Sequence, residues 1–229
     1  MRRPRWRRLA QPVAGLALAP TSFAALAASA RALAGLAHKD SPAFAFLAAF
    51  GGYCALHASG LLRLRPAYVF AHESSHALAA WLSGEKVHRF VVRADRGHVD
   101  LSRVTAFIAL APYWLPFYAL LVALLFRVWT ACDAPPIPRV AFLAAMGAAL
   151  AFHACHTLES LHSGQSDLDH AGWLLSLAAI VLLNAAFTLG LSKCLFPRQV
   201  RLAAQVRGIG RDTARFWRWT WRELAELRA

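Results

Sequence analysis

Apolar stretches recur along this chain, and each is close to the roughly 20 residues needed to cross the hydrocarbon core of a bilayer. They are Val13–Ala30, Pro42–Leu62, Pro66–Gly84, Val104–Val128, Val140–Leu161 and Ala171–Phe196. Hydrophobic residues make up 58% of the 229 and charged residues only 16%, with a mean hydropathy of +0.42, far above a soluble domain's usual share. The expected fold class is therefore an all-α polytopic membrane protein with five to six transmembrane helices.

A net charge of +13 suggests nucleic acid at first sight, but its placement argues otherwise. Five arginines lie in the first eight residues and nine Lys/Arg follow Leu191, so the basic residues flank apolar segments. Membrane proteins set basic residues against anionic lipid in this way, and no nucleic-acid partner is expected. Cys54, Cys132, Cys155 and Cys194 have no C-x-x-C spacing and imply neither a disulfide framework nor a thiolate metal site.

Three regions follow. Residues 1–41 hold the basic N-terminus and Val13–Ala30, which reads as a spanning helix, an interfacial helix or a signal peptide ending in Ala28-Ser29-Ala30. Residues 42–196 form the membrane-embedded core. Residues 197–229 are a basic tail whose arginines recur among Leu202, Val206, Phe216, Trp217, Trp219 and Trp221, which predicts a helix lying on the lipid surface. Only Glu85–Arg103 has strand character. There Phe90-Val91-Val92 and His98-Val99-Asp100-Leu101 flank Asp95-Arg96-Gly97, predicting a short β-hairpin with the glycine in its turn.

Within Pro66–Gly84 stands His72-Glu73-Ser74-Ser75-His76. H-E-x-x-H on a helix sets two imidazoles one turn apart on one face, with a carboxylate beside the first. Zinc accepts such a pair as two of its tetrahedral ligands, and the glutamate becomes the general base for water. Ionisable side chains inside a membrane segment are costly, so they mark function by default.

A catalytic zinc site needs a third protein ligand. If every apolar segment crosses once, the hairpin loop and the loop Leu161–His170 share a face, which favours Asp167 just before the next helix. Capping that helix is the competing role for Asp167. Asp169 is the fallback, and His153 and His156, three apart on one helix, are further alternatives.

These residues resemble the site-2 protease family, zinc metalloproteases that cut peptide bonds within the membrane. The H-E-x-x-H helix continues through Ala77-Leu78-Ala79-Ala80 into Gly84-Glu85-Lys86-Val87, as that family's helix runs into a glycine and a strand. The segment ending in Gly97-His98-Val99 corresponds to its β-hairpin, and an acidic residue follows two apolar segments later. The resemblance covers about Tyr68 to Asn184. Family members typically carry N-x-x-P with L-D-G at the third ligand. Here Leu168-Asp169 lacks the glycine, while Gln165-Ser166-Asp167 is similar to a divergent bacterial branch.

The resemblance implies one zinc per chain on His72, His76 and Asp167, Glu73 as the catalytic base, membrane-protein substrates, and a multi-pass location in a bacterial inner membrane. Counting Lys/Arg by loop puts both termini inside and the hairpin outside, whereas the family places the hairpin on the cytoplasmic face. The alternative class is a non-enzymatic membrane metalloprotein, either a metal transporter or an inactive protease homologue acting as a scaffold.

Overall fold

Helices account for nearly all of the regular structure in the computed structural model of the chain, which describes residues 5–37, 41–132, 134–163 and 166–227. Residues 1–4 of the basic N-terminus and Gly164-Gln165 lie outside the described residues. In chain order the elements are α1 (Arg5–Ala34), α2 (Ser41–Ala58), α3 (Arg65–Leu82), β1 (Val87–Val92), β2 (Gly97–Leu101), α4 (Ala106–Trp114) and α5 (Phe117–Ala131). There follow α6 (Arg139–His162), a short 3-10 helix (Ser166–His170), α7 (Trp173–Leu195) and α8 (Leu202–Glu226). Contacts group them into two units, Met1–Lys39 with Ala171–Ala229, and Asp40–His170.

In the first unit, α1 and α7 run side by side along a seam of small residues. Gly15, Ser22 and Ser29 recur every seven residues. A methyl at Gly15 would come within 2.8 Å of the Leu175 backbone, so only hydrogen fits there. The Ser22 and Ser29 hydroxyls donate to the carbonyls of Ala178 (2.8 Å) and Ala185 (3.0 Å). In lipid, apolar burial gives little drive for helix association, and close small-residue packing with interhelical hydrogen bonds replaces it. Leu202 and Ile209 of α8 pack on Ala28, Ala32 and Leu189. On α8, Arg207, Arg211, Arg215, Arg218 and Arg222 recur at spacings of three and four, a single helical face.

In the second unit α2 and α6 run parallel. Phe46 meets Gly147, Tyr53 meets Phe152, and Cys54 lies 3.6 Å from Cys155. A Cβ at Gly147 would collide with the Phe46 carbonyl, so the glycine sets how closely the two backbones approach. α5 runs antiparallel to α6: Tyr118 packs on Phe152 and Phe126 stacks on Phe142. α3 and α4 are also antiparallel, with Ala79 and Ala80 packed on Ile108 and Ala111. The Thr105 side chain starts α4 by accepting from the Ile108 N–H at 3.3 Å.

Among the described residues three helices are long and apolar enough to cross a membrane: Ala10–Ala34, Arg139–His162 and Trp173–Leu195. A fourth is reached if α4 and α5, bent by 73° across Leu115-Pro116, count as one span. The five to six spans expected from the sequence are not confirmed. Pro116, which has no N–H to continue a helical ladder, sits at the break in Val104–Val128. Parallel α2 and α6 also show that Pro66–Gly84 and Val104–Val128 are not two straight crossings; α3 and α4 go out and back, and α5 makes the return. Large apolar side chains such as Phe23 (68% exposed) and Phe44 (68%) face outward, as lipid contact requires and water would not favour.

The hairpin forms where expected, with Val92 opposite Gly97 and Phe90 opposite Val99, and a bulge between Val87 and Arg89. Its turn is one step earlier than the glycine suggested. The Arg93 N–H donates to the Arg96 carbonyl at 2.8 Å, and Gly97 opens β2 instead of occupying the turn.

Candidate metal centre

One turn of α3 carries both imidazoles. His72 Nε2 and His76 Nε2 are 3.3 Å apart, the rings meeting edge to face with centroids 4.9 Å apart. The 3-10 helix brings in Asp167, whose Oδ2 lies 3.5 Å from His72 Nε2 and 3.6 Å from His76 Nε2. Tetrahedral zinc with bonds of about 2.0–2.1 Å spaces its ligand atoms roughly 3.3 Å apart. A triangle of 3.3, 3.5 and 3.6 Å with two nitrogens and one oxygen fits that donor set and spacing.

The outer atoms orient the inner ones. His76 Nδ1–H donates to the Ile108 carbonyl at 2.9 Å, which leaves the Nε2 lone pair directed inward. His72 Nδ1 bonds the Tyr68 hydroxyl at 3.1 Å, one helical turn before it. The Tyr113 hydroxyl donates to Asp167 Oδ2 at 3.1 Å. Burial by itself would raise the Asp167 carboxyl. Hydrogen bonds and charge from His72 and His76 outweigh it and hold the group well below the usual carboxylate range. At neutral pH the residue is therefore a carboxylate, the form that ligates.

Among the sequence candidates, the structure brings together His72, His76 and Asp167. Asp169 is exposed and lies outside the group, with the buried Leu168 between the two aspartates. His156 belongs to a different cluster, with His57 and Glu159, and His153 joins neither. α7 is preceded by Gly172 and has no side-chain cap, so Asp167 does not cap it. Asp167→Asn should therefore weaken zinc binding and activity by at least about tenfold with little loss of helicity, while Asp169→Asn stays near wild type. Zinc titration of both variants checks this, and zinc loss in Asp169→Asn alone would reverse the assignment.

Glu73 is buried and faces a cavity of about 900 Å³ that His72, Tyr68 and Gly97 also line. Gly97 is where it is because of this glutamate: a Cβ there would collide with Glu73 Cγ and stand 2.6 Å from Oε1. A glycine between two strand-like runs reads as a turn from sequence, since pattern alone does not separate a turn from a close approach. Gly97→Ala should displace the carboxylate and lower turnover by as much as about 100-fold with metal retained. Steady-state kinetics beside metal analysis tests it, and unchanged turnover would mean that Glu73 need not sit where it does. Tyr68 was not singled out from sequence, although its place four before His72 was a usable signal; Tyr113 and the Ile108 carbonyl carried none, since they arrive through the fold.

Two imidazoles and a carboxylate beside a buried glutamate, in a helical membrane protein, define a candidate H-E-x-x-H metallopeptidase centre. Residues 43–131 match the family model described as Peptidase M50B-like, which supports a site-2 protease-like family and suggests a membrane metalloprotease. The comparisons with curated proteins and with solved structures give no match. The family match contains the H-E-x-x-H helix, the hairpin, α4 and α5 but ends before Asp167, so Asp167 as candidate third ligand rests on geometry.

Proposed function

We propose that the chain is a zinc-dependent intramembrane endopeptidase, site-2 protease-like, that hydrolyses peptide bonds in or near transmembrane segments of other membrane proteins. The observation that carries this reading is the Glu73 carboxylate buried at the cavity wall, beside a triangle of ligand atoms on His72, His76 and Asp167. Those three residues would hold one zinc ion. The chemistry it supplies when bound is Lewis acidity toward water and toward the scissile carbonyl oxygen.

The remaining work falls to the chain. Glu73 takes a proton from the attacking water and returns it to the leaving amine. Tyr68 and the Ile108 carbonyl hold the two imidazoles in register, and Tyr113 holds Asp167. A transmembrane substrate arrives with its carbonyls bonded inside a helix, so the segment to be cut has to become extended. The edge of the hairpin, over 90–94 or 98–101, offers backbone groups to pair with it, and Gly97 places that strand against the base.

Lipid is the other partner in this reading. The arginine face of α8 and its exposed Trp219 and Trp221 suit an anionic bilayer surface. We place the protein in a bacterial inner membrane and assign it no nucleic-acid partner.

A second reading, a non-enzymatic membrane metalloprotein, is favoured by one observation, the additional His57–His156–Glu159 cluster on the same cavity. One experiment separates the two. The full chain in liposomes is presented with a single-pass membrane substrate, stripped with a chelator and reloaded with zinc. A peptidase stops cutting when stripped and resumes when zinc is restored; a transporter or scaffold loads metal and never cuts.

A further inference from the structure

We propose that His57, His156 and Glu159 form a second metal site, for a divalent ion of the zinc, cobalt or nickel type, on the wall of the cavity that Glu73 faces. It stands on its own geometry, whether or not the chain is a peptidase. His57 lies in the last turn of α2, and His156 and Glu159 lie three apart on α6. The parallel packing of those helices brings them together.

The two carboxylate oxygens divide between the two rings: Glu159 Oε1 is 3.2 Å from His57 Nε2, and Oε2 is 3.2 Å from His156 Nδ1. The rings meet edge to face with centroids 4.8 Å apart and planes at 76°. In the first centre the corresponding values are 4.9 Å and 79°. Composition and ring crossing are thus repeated, with two imidazoles at nearly the same angle; here each carboxylate oxygen faces one ring, whereas Asp167 Oδ2 faces both.

Burial separates this cluster from a chance meeting of polar side chains. His156 is 4% exposed, and the His57 side chain is 10% exposed. Their outer nitrogens, His57 Nδ1 and His156 Nε2, are buried with no hydrogen-bond partner among the described residues. No outer hydrogen bond holds either ring; Tyr53 stacks on His57, and Tyr68 and Phe152 pack on His156. Ionisable groups set between helices in this way are expensive to keep unless they bind something.

Two nitrogens and one oxygen suit borderline transition ions; calcium and magnesium demand all-oxygen shells. The Cys54 and Cys155 thiols line the same cavity but lie outside the group of candidate ligands. Glu159, at 56% side-chain exposure, gives an ion a way in. The bland alternative is a carboxylate that merely accepts an N–H from each imidazole, and such a group takes up no metal.

The test is metal stoichiometry of the full chain in detergent, stripped and then titrated with Co²⁺, whose visible bands report low-symmetry nitrogen–oxygen coordination. Wild type should bind two equivalents. His72→Ala/His76→Ala and His57→Ala/His156→Ala should each bind one, and their combination none. His88→Ala, at an exposed strand position, should still bind two. Because the helix-interface double variant risks misfolding, Glu159→Gln provides a second arm: it keeps volume and an acceptor oxygen but is a poorer ligand. It should weaken one equivalent by at least about tenfold with unchanged circular dichroism. A folded wild-type chain that binds a single equivalent, lost with His72 and His76, would overturn the proposal. So would two unchanged equivalents in Glu159→Gln.

Discussion

On the proposed function, replacing His76 with alanine should abolish zinc binding and peptide cleavage together. Its Nε2 is 3.3 Å from His72 Nε2 and 3.6 Å from Asp167 Oδ2, so the substitution removes one vertex of the triangle. It also frees the Ile108 carbonyl, which accepts from His76 Nδ1 at 2.9 Å. Loss of an outer partner of a ligand costs about 10–100-fold in metal affinity. Loss of the ligand itself should exceed the upper end of that range. His72→Ala should behave the same way, with Tyr68 losing its bond to His72 Nδ1. Zinc content after desalting, beside helicity by circular dichroism, measures the effect. Stoichiometric zinc retained by either folded variant would contradict the ligand assignment.

The ligand helix was readable from the sequence because its chemistry is local. Residues four apart on a helix share a face whatever surrounds them, so the pairing of His72 with His76 follows from spacing alone; Tyr68, four before His72, carried the same signal but was not singled out. Asp167 was readable only through topology, and the topology differs from the assumption used to reach it. If each apolar segment crossed once, α2 and α6 would run antiparallel. In the structure α2 and α6 are parallel, α3 and α4 double back, and Asp167 reaches the imidazoles beside Tyr113 at the end of α4. The same residue emerges by a different route.

Gly97 shows the opposite outcome. The hairpin was legible in its alternating residues, but the contact that explains the glycine, with Glu73, depends on how β2 lies along α3. The His57–His156–Glu159 cluster was hidden for a similar reason. Its members sit on two helices distant in sequence, and the close approach of α2 to α6, which Gly147 permits, brings their ligand atoms within 4.8 Å of one another. No spacing pattern carries that information.

Glu73→Gln isolates the central claim, because it changes the proposed base and leaves the ligand set alone. The side chain is 8% exposed, and glutamine fills the same volume, so fold and metal binding should persist. General acid–base catalysis contributes about 10²–10⁴-fold, and loss of the base should lower cleavage by that order. The measurement is the cleavage rate of a single-pass membrane substrate in liposomes, taken together with zinc content, for wild type and Glu73→Gln. The account predicts wild-type zinc and a rate reduced at least about 100-fold in the variant. A variant that cuts as fast as wild type while holding the same zinc would contradict it.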